Sequence, residues 1–143
     1  MKPIWIVDDD QSIRFVLEKA LLRENLPTRS FTSPREVLQA LDSASEDEQP
    51  QILVSDIRMP GGSGLELLTK VKERMPMLPV IIMTAFSDLD SAVSAFQGGA
   101  FEYLPKPFDL PKAVELIRRA VDESQREQAQ SDLQDETPEM LGQ

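Results

Sequence analysis

The stretch Leu53-Val54-Ser55-Asp56-Ile57-Arg58-Met59-Pro60-Gly61 runs from a short apolar segment into one acid and then into a Pro-Gly turn. An apolar run of this length, bounded by turn signals, has the pattern of a buried parallel strand. Ile4-Trp5-Ile6-Val7 and Pro79-Val80-Ile81-Ile82-Met83-Thr84 repeat it, and Ala100 to Leu104 supplies a further strand. Thr28 to Thr32 is a short polar strand suited to a sheet edge. Residues with helical spacing fill the gaps, so five strands alternate with five helices. That order predicts an α/β fold with a doubly wound parallel five-stranded sheet, right-handed crossovers and strand order 2-1-3-4-5.

The helices have their own signals. Ile13, Val16, Leu17, Ala20 and Leu21 give the first, over about residues 12 to 24. Ser33-Pro34-Arg35-Glu36 opens the second with an N-cap serine, a proline at the first position and a capping-box glutamate. Val37, Leu38 and Leu41 form its inner face. Gly61 to Gly64 leads into the third, with Leu65, Leu68, Val71 and Met75 on one side. The fourth runs from Ser87, a plausible N-cap, to Gln97, and Gly98-Gly99 stops it. Its apolar face is thin: Ala92, Val93, Ala95 and Phe96. Thin anchoring suits an element that moves. Asp109 caps the last helix, whose Val114, Ile117 and Val121 face inward.

Beyond Val121 apolar residues nearly vanish. Residues 122–143 hold seven acids and one arginine, six of the net ten negative charges. Residues 1–122 therefore read as one domain, and 123–143 as an acidic linker or fraying helix extension. A chain this acidic is a poor non-specific nucleic-acid ligand, because DNA affinity comes largely from neutralising phosphates. The absence of cysteine and histidine excludes disulfides, Ser-His catalysis and the usual zinc sites.

In a parallel sheet the carboxyl ends of the strands share one edge, where ligands bind. Here the strands end in or lead to Asp8-Asp9-Asp10, Asp56, Thr84 and Lys106. Crowded carboxylates raise one another's pKa, and a hard divalent cation such as magnesium removes that conflict. With it a phosphoryl group can approach, its oxygens met by the cation, Lys106 and the Thr84 hydroxyl, while Asp56 attacks in line. Each group has a plainer alternative: Asp10 as a helix cap, Asp56 as a turn residue, Thr84 as a strand cap, Lys106 as a surface lysine. The glycines at 61–64 match no phosphate loop and are read as a turn before a helix.

Val7-Asp8-Asp9, Ser55-Asp56-Ile57-Arg58-Met59-Pro60-Gly61, Met83-Thr84-Ala85 and Tyr103-Leu104-Pro105-Lys106-Pro107-Phe108 together resemble the receiver domain of two-component response regulators, a flavodoxin-like fold. The resemblance covers residues 3 to about 122. Ser12-Ile13-Arg14, Leu78 to Ala85 and Ser87-Asp88-Leu89-Asp90 are similar to receivers of the NtrC family of nitrogen regulators. It implies Asp56 as phosphoryl acceptor from the phosphohistidine of a kinase of the NtrB type. It implies Asp9 as a direct magnesium ligand, Asp8 as a water-mediated one, and the backbone carbonyl of Arg58 as another ligand. Thr84 and Tyr103 match a switch pair, Lys106 a phosphate-binding lysine, and the Lys106-Pro107 bond is expected to be cis. Asp10 is extra to the two-acid pattern. Ser63 stands where many relatives have Asp, and Phe86 where they often have His.

The expected switch draws Thr84 inward on phosphorylation. Tyr103 follows, and the fourth helix shifts to expose Ala92, Val93 and Phe96. The family further implies a cytoplasmic protein, homodimerisation on phosphorylation, a downstream AAA+ domain acting on sigma-N RNA polymerase, and a DNA-binding domain, with no turnover of an external substrate. A stand-alone receiver serving a phosphorelay or binding partners is the alternative. A Mg-dependent phosphohydrolase generally needs a second acid where Arg58 stands. In a nucleotide binder a phosphate loop would replace the acid trio.

Overall fold

The computed structural model describes residues 2–45, 48–59, 62–85, 89–106 and 109–141. Side chains are described for these except at 59, 62, 63, 85, 89, 91, 92 and 127–141. The expectations for Pro60, Gly61, Phe86, Ser87 and the Lys106-Pro107 bond lie outside the described residues, as does the Ala92 side chain.

Among the described residues seven strands and five helices follow in order: β1 (Ile4–Val7), α1 (Gln11–Arg23), β2 (Thr28–Phe31), α2 (Pro34–Ser43), β3 (Ile52–Asp56), β4 (Arg58–Met59), β5 (Gly62–Ser63), α3 (Gly64–Arg74), β6 (Val80–Ala85), α4 (Leu89–Gln97), β7 (Glu102–Lys106) and α5 (Leu110–Leu141). Five strands form one parallel sheet in the order β2-β1-β3-β6-β7. With the β4–β5 hairpin set aside, this is the 2-1-3-4-5 order that the alternation predicts. The hairpin pairs Arg58 with Ser63 and Met59 with Gly62; two-residue strands carry too little periodicity to be seen in a sequence.

Strand alternation divides the core. Ile4, Ile6, Ile52, Val54, Ile81 and Met83 pack with Leu17 and Leu21 of α1 and Ala113, Leu116, Ile117, Ala120 and Val121 of α5. Trp5, Val7, Leu53, Val80 and Ile82 face the other way, onto α2, α3 and Ala95 of α4. Burying one such aliphatic side chain stabilises the fold by about 1.5–3 kcal/mol. Ser33 caps α2, its side chain accepting from the Glu36 N–H, while Glu36 turns back to the Thr32 and Ser33 hydroxyls.

Some expectations shift. Ala100 does not begin a strand: its N–H donates to Ala95 O, closing the end of α4, with Gly99 at φ +102°. The last strand starts two residues later and takes in Pro105, which an edge strand tolerates. Val16 is turned to solvent, 40% exposed. Leu67 and Ala40, rather than Leu65 and Leu38, join the buried faces of α3 and α2. On α5, Val114 is only half-buried.

Beyond Val121 the sequence reads as an acidic linker or a helix extension, and α5 continues to Leu141. Ser124 is buried and accepts a 2.8 Å hydrogen bond from the Gln51 amide, which seats one more turn on the body. Gln51 itself is tied to Pro3 O through its main chain, so the contact lies at the sheet edge away from Asp56. The Glu, Gln, Arg and Ala residues that follow have high helix propensity.

Candidate functional site

The sheet register brings the expected groups to one edge. Val7 is level with Ser55, Asp56 with Met83, and Thr84 with Pro105. Asp8 leaves β1 with its N–H still bonded to Phe31 O. Its carboxylate is fully buried: Oδ1 accepts from the Asp10 N–H at 2.9 Å, and Oδ2 accepts from Lys106 Nζ at 2.9 Å. Asp56, the last residue of β3, is 8% exposed. Its Oδ1 accepts from the Ile57 N–H at 2.9 Å and lies 3.3 Å from Lys106 Nζ. Lys106 does not follow the last strand; it ends it, so its amine is carried on sheet backbone.

Oxygens of Asp8, Asp9 and Asp56 lie within 4.8 Å of one another. Asp9 is the exposed member. Asp10 stands apart: it is the N-cap of α1, Oδ1 accepting from the Ser12 N–H at 2.8 Å. Of its two alternatives the structure selects the cap.

Burial, and then the charge of Asp8, push the Asp56 pKa above its ordinary value against the opposing pull of Lys106. Burial lowers that of Lys106, but its hydrogen bond and ion pairs with Asp8 and Asp56 outweigh this and raise it overall. Three hard oxygen donors in one group, under-neutralised by one ammonium, suit a magnesium-like cation that keeps several waters. The residues present therefore fit the implied metal.

Thr84 is 2% exposed and shares its strand face with Val80 and Ile82, the face that carries α4. Tyr103, level with Ile82, sets its ring edge-on to Phe96 of α4, centroids 5.6 Å apart. Arg58 stands two residues after Asp56 on β4, its side chain exposed. Val93 and Phe96 are already 56% and 42% exposed. Much of the face that the expected shift of α4 was to expose is therefore in solvent already.

Two contributors escape sequence reasoning. Gly64, read as part of a turn, is a close-approach site: a Cβ there would lie 2.2 Å from Asp56 O and 2.7 Å from Ile57 Cα. Arg14 donates through Nη1 to Asp8 O at 2.5 Å. A glycine directly before a helix hints at the first; a contact between residue 14 and a main-chain oxygen leaves no mark in a sequence.

Residues 4–118 match the response regulator receiver domain. The DNA-binding transcriptional regulator NtrC of Escherichia coli (strain K12) is 56% identical over 131 residues, 92% of this chain and 27% of that protein. NtrC of Klebsiella pneumoniae is 59% identical over 124 residues, 87% of this chain and 26% of that protein. The chain thus spans about a quarter of the curated relatives it matches. The solution structure of the apo receiver domain of Nitrogen Regulatory Protein C is 58% identical, with a TM-score of 0.75 over 86% of this chain and 96% of that one. NtrX from Brucella abortus aligns at a TM-score of 0.82 with 31% identity, over 92% of this chain and 29% of that one. A match across 4–118, and over half identity to NtrC regulators along most of the chain, agree with the sheet order and the acid-lysine edge: the chain belongs to the response regulator receiver domains, and is a receiver of the NtrC kind.

Proposed function

We propose that the chain is a phosphorylation switch in which Asp56 takes a phosphoryl group from a histidine kinase of the NtrB type. The observation that carries this is the convergence on Asp56: Asp8 and Asp9 within 4.8 Å, and Lys106 Nζ at 3.3 Å from its Oδ1. Asp56 supplies the nucleophilic oxygen. A carboxylate oxygen–phosphorus bond forms as the phosphorus–nitrogen bond of phosphohistidine breaks, and the departing imidazole takes up a proton. Asp9, Asp56 and the Arg58 carbonyl, with Asp8 through a water, would hold Mg2+, which would supply neutralisation of charge on the phosphoryl oxygens.

Lys106 already spans Asp8 and Asp56 and meets one incoming oxygen; the Thr84 hydroxyl meets another. Drawing Thr84 toward the phosphoryl group loosens the contact of β6 with the face that carries α4. Tyr103 turns with it and takes Phe96 along, repositioning the Ala92–Val93–Phe96 face. The new anion and its charge-assisted hydrogen bonds shift a pre-existing equilibrium. Conversion from mostly inactive to mostly active requires about 5 kcal/mol of differential interaction. No external substrate is turned over.

The receiver occupies 1–122, with Ser124 of the next turn seated on it. Its extension, 123–143, leads toward an AAA+ domain that acts on sigma-N polymerase and a DNA-binding domain, in a cytoplasmic protein that dimerises when phosphorylated. Among the described residues no helix is long and apolar enough to cross a membrane. Intact mass after incubation with acetyl phosphate and Mg2+ tests the reading. One phosphoryl adduct is expected, dependent on Mg2+ and lost in Asp56→Asn; an adduct that survives that substitution overturns it.

A further inference from the structure

The ladder of β1 ends at Val7, so the carbonyl of Asp8 points beyond the last strand pair. A main-chain oxygen left there needs another donor. Arg14 provides it, reaching back six residues from the first turns of α1 with Nη1 2.5 Å from Asp8 O. Two residues on, Asp10 caps α1 through the Ser12 N–H. The acid turn is thus pinned at both ends, by a side chain of the helix it feeds and by the cap of that helix.

Asp9 lies between the pins. Its side chain is exposed, and among the described residues its carboxylate has no hydrogen-bond or ion-pair partner. Asp8, by contrast, is held by the Asp10 N–H and Lys106 as well as by Arg14. Among the described residues, then, it is the backbone that sets the reach of Asp9 into the Asp8–Asp9–Asp56 group.

We propose that Arg14 is a positioning residue for this site: by holding the Asp8 carbonyl it fixes the backbone that carries Asp9 and keeps the acids at cation-binding separation. This rests on the proposed phosphoacceptor function and adds to it a partner outside the acid group. The direction of the effect separates positioning from simple charge. As a cation beside the acids, Arg14 opposes a metal ion, so losing its charge alone strengthens Mg2+ binding. Losing its hold on the turn weakens it. Outer partners of ligating groups typically contribute 10- to 100-fold in metal affinity. A main-chain contact one residue from an exposed ligand belongs at the low end, about tenfold.

Arg14→Met keeps the aliphatic stem and removes the donor; Arg14→Lys keeps a charged donor. Three measurements are made on each and on the parent chain: Mg2+ affinity by calorimetry, amide exchange of residues 8–10 without metal, and the rate of Asp56 phosphorylation by acetyl phosphate against Mg2+ concentration. In Arg14→Met, affinity is expected to fall about tenfold and the Asp10 amide to exchange faster. Half-saturating Mg2+ should rise in step while the rate at saturation stays within about twofold, and Arg14→Lys should restore most of the affinity. Unchanged or tighter Mg2+ binding in Arg14→Met overturns the positioning role. So does a fall in the saturated rate alone, and so does faster exchange of residues 8–10 that Arg14→Lys shares in full. If the parent chain takes no Mg2+-dependent adduct on Asp56, the phosphoacceptor reading fails instead, and the calorimetric and exchange arms still decide the role of Arg14.

Discussion

Helices α4 and α5 cover opposite faces of one sheet and are held by it very differently. On α5, Ala113, Leu116, Ile117, Ala120 and Val121 are all buried, and Ser124 adds a buried hydrogen bond beyond them. On α4, among its described side chains, Ala95 is buried, while Val93 and Phe96 stand in solvent. Free energy of local opening follows buried contact, so α5 belongs to the globally cooperative unit and α4 to a weaker one. The weaker helix is on the face that Thr84 and Tyr103 address. The fold thus seats α5 firmly behind Asp8 and Asp56 and leaves α4, on a face otherwise held by α2 and α3, movable at low cost.

The contrast can be broken from the strong side first. Ile117→Ala removes a fully buried side chain from α5 and should cost about 2–5 kcal/mol in urea unfolding. A loss below about 1 kcal/mol would mean that α5 is as loosely seated as α4.

The second effect concerns the edge between the two faces. Mg2+ at a hundred times its dissociation constant should stabilise the chain by about 2.7 kcal/mol, read as a shift in thermal midpoint that a chelator reverses. Asp56 shows the sign of the metal-free term. Its pKa is raised, first by burial and then by Asp8. Its protonation therefore favours the fold below the ordinary carboxylate pKa, and that contribution is lost as pH rises through the raised one. At neutral pH the confined charge is a cost. Asp56→Asn should melt higher than the parent without metal and gain far less from Mg2+.

Gly64→Ala should cost about 1–3 kcal/mol, because the new methyl meets main-chain atoms of Asp56 and Ile57 that cannot rotate away. Since Asp56 must move, Mg2+ affinity should fall with it; a variant that binds Mg2+ normally would show that α3 gives way instead. The smallest effect is on the loose side. Phe96→Ala should cost less than about 1.5 kcal/mol, the value of its edge-on contact with Tyr103. In native-state hydrogen exchange its α4 amides should open even more readily, with Ala113 to Val121 unchanged. Equal opening free energies for the two helices in the parent chain would remove the contrast.

The strands were legible where burial on both faces makes an uninterrupted apolar run, as in Ile4 to Val7 and Val80 to Met83. The acid-lysine edge followed from topology, since parallel strands deliver their ends together. Other features were illegible for physical reasons. Ala100 is apolar because it closes a helix, not because it pairs in a sheet. Asp10 had two readings, the helix cap favoured, and its contact with the Ser12 N–H selects that one. Gly64 and Arg14 act on main-chain atoms, whose positions no residue pattern encodes. The turn of α5 after Val121 is seated by a polar pair, Gln51 and Ser124, seventy-three residues apart, which no local pattern signals.

That pair also decides where the domain can be cut. Trimming the chain at residue 122, where the apolar stripe stops, deletes the hydroxyl that the Gln51 amide donates to, together with the turn that carries it. A hydrogen bond of this kind contributes about 0.5–1.5 kcal/mol, enough to make a shortened receiver melt early for reasons unrelated to its pocket. A version ending past Arg126 keeps the bond, and domain grafts onto other output modules should be spliced on the far side of Ser124.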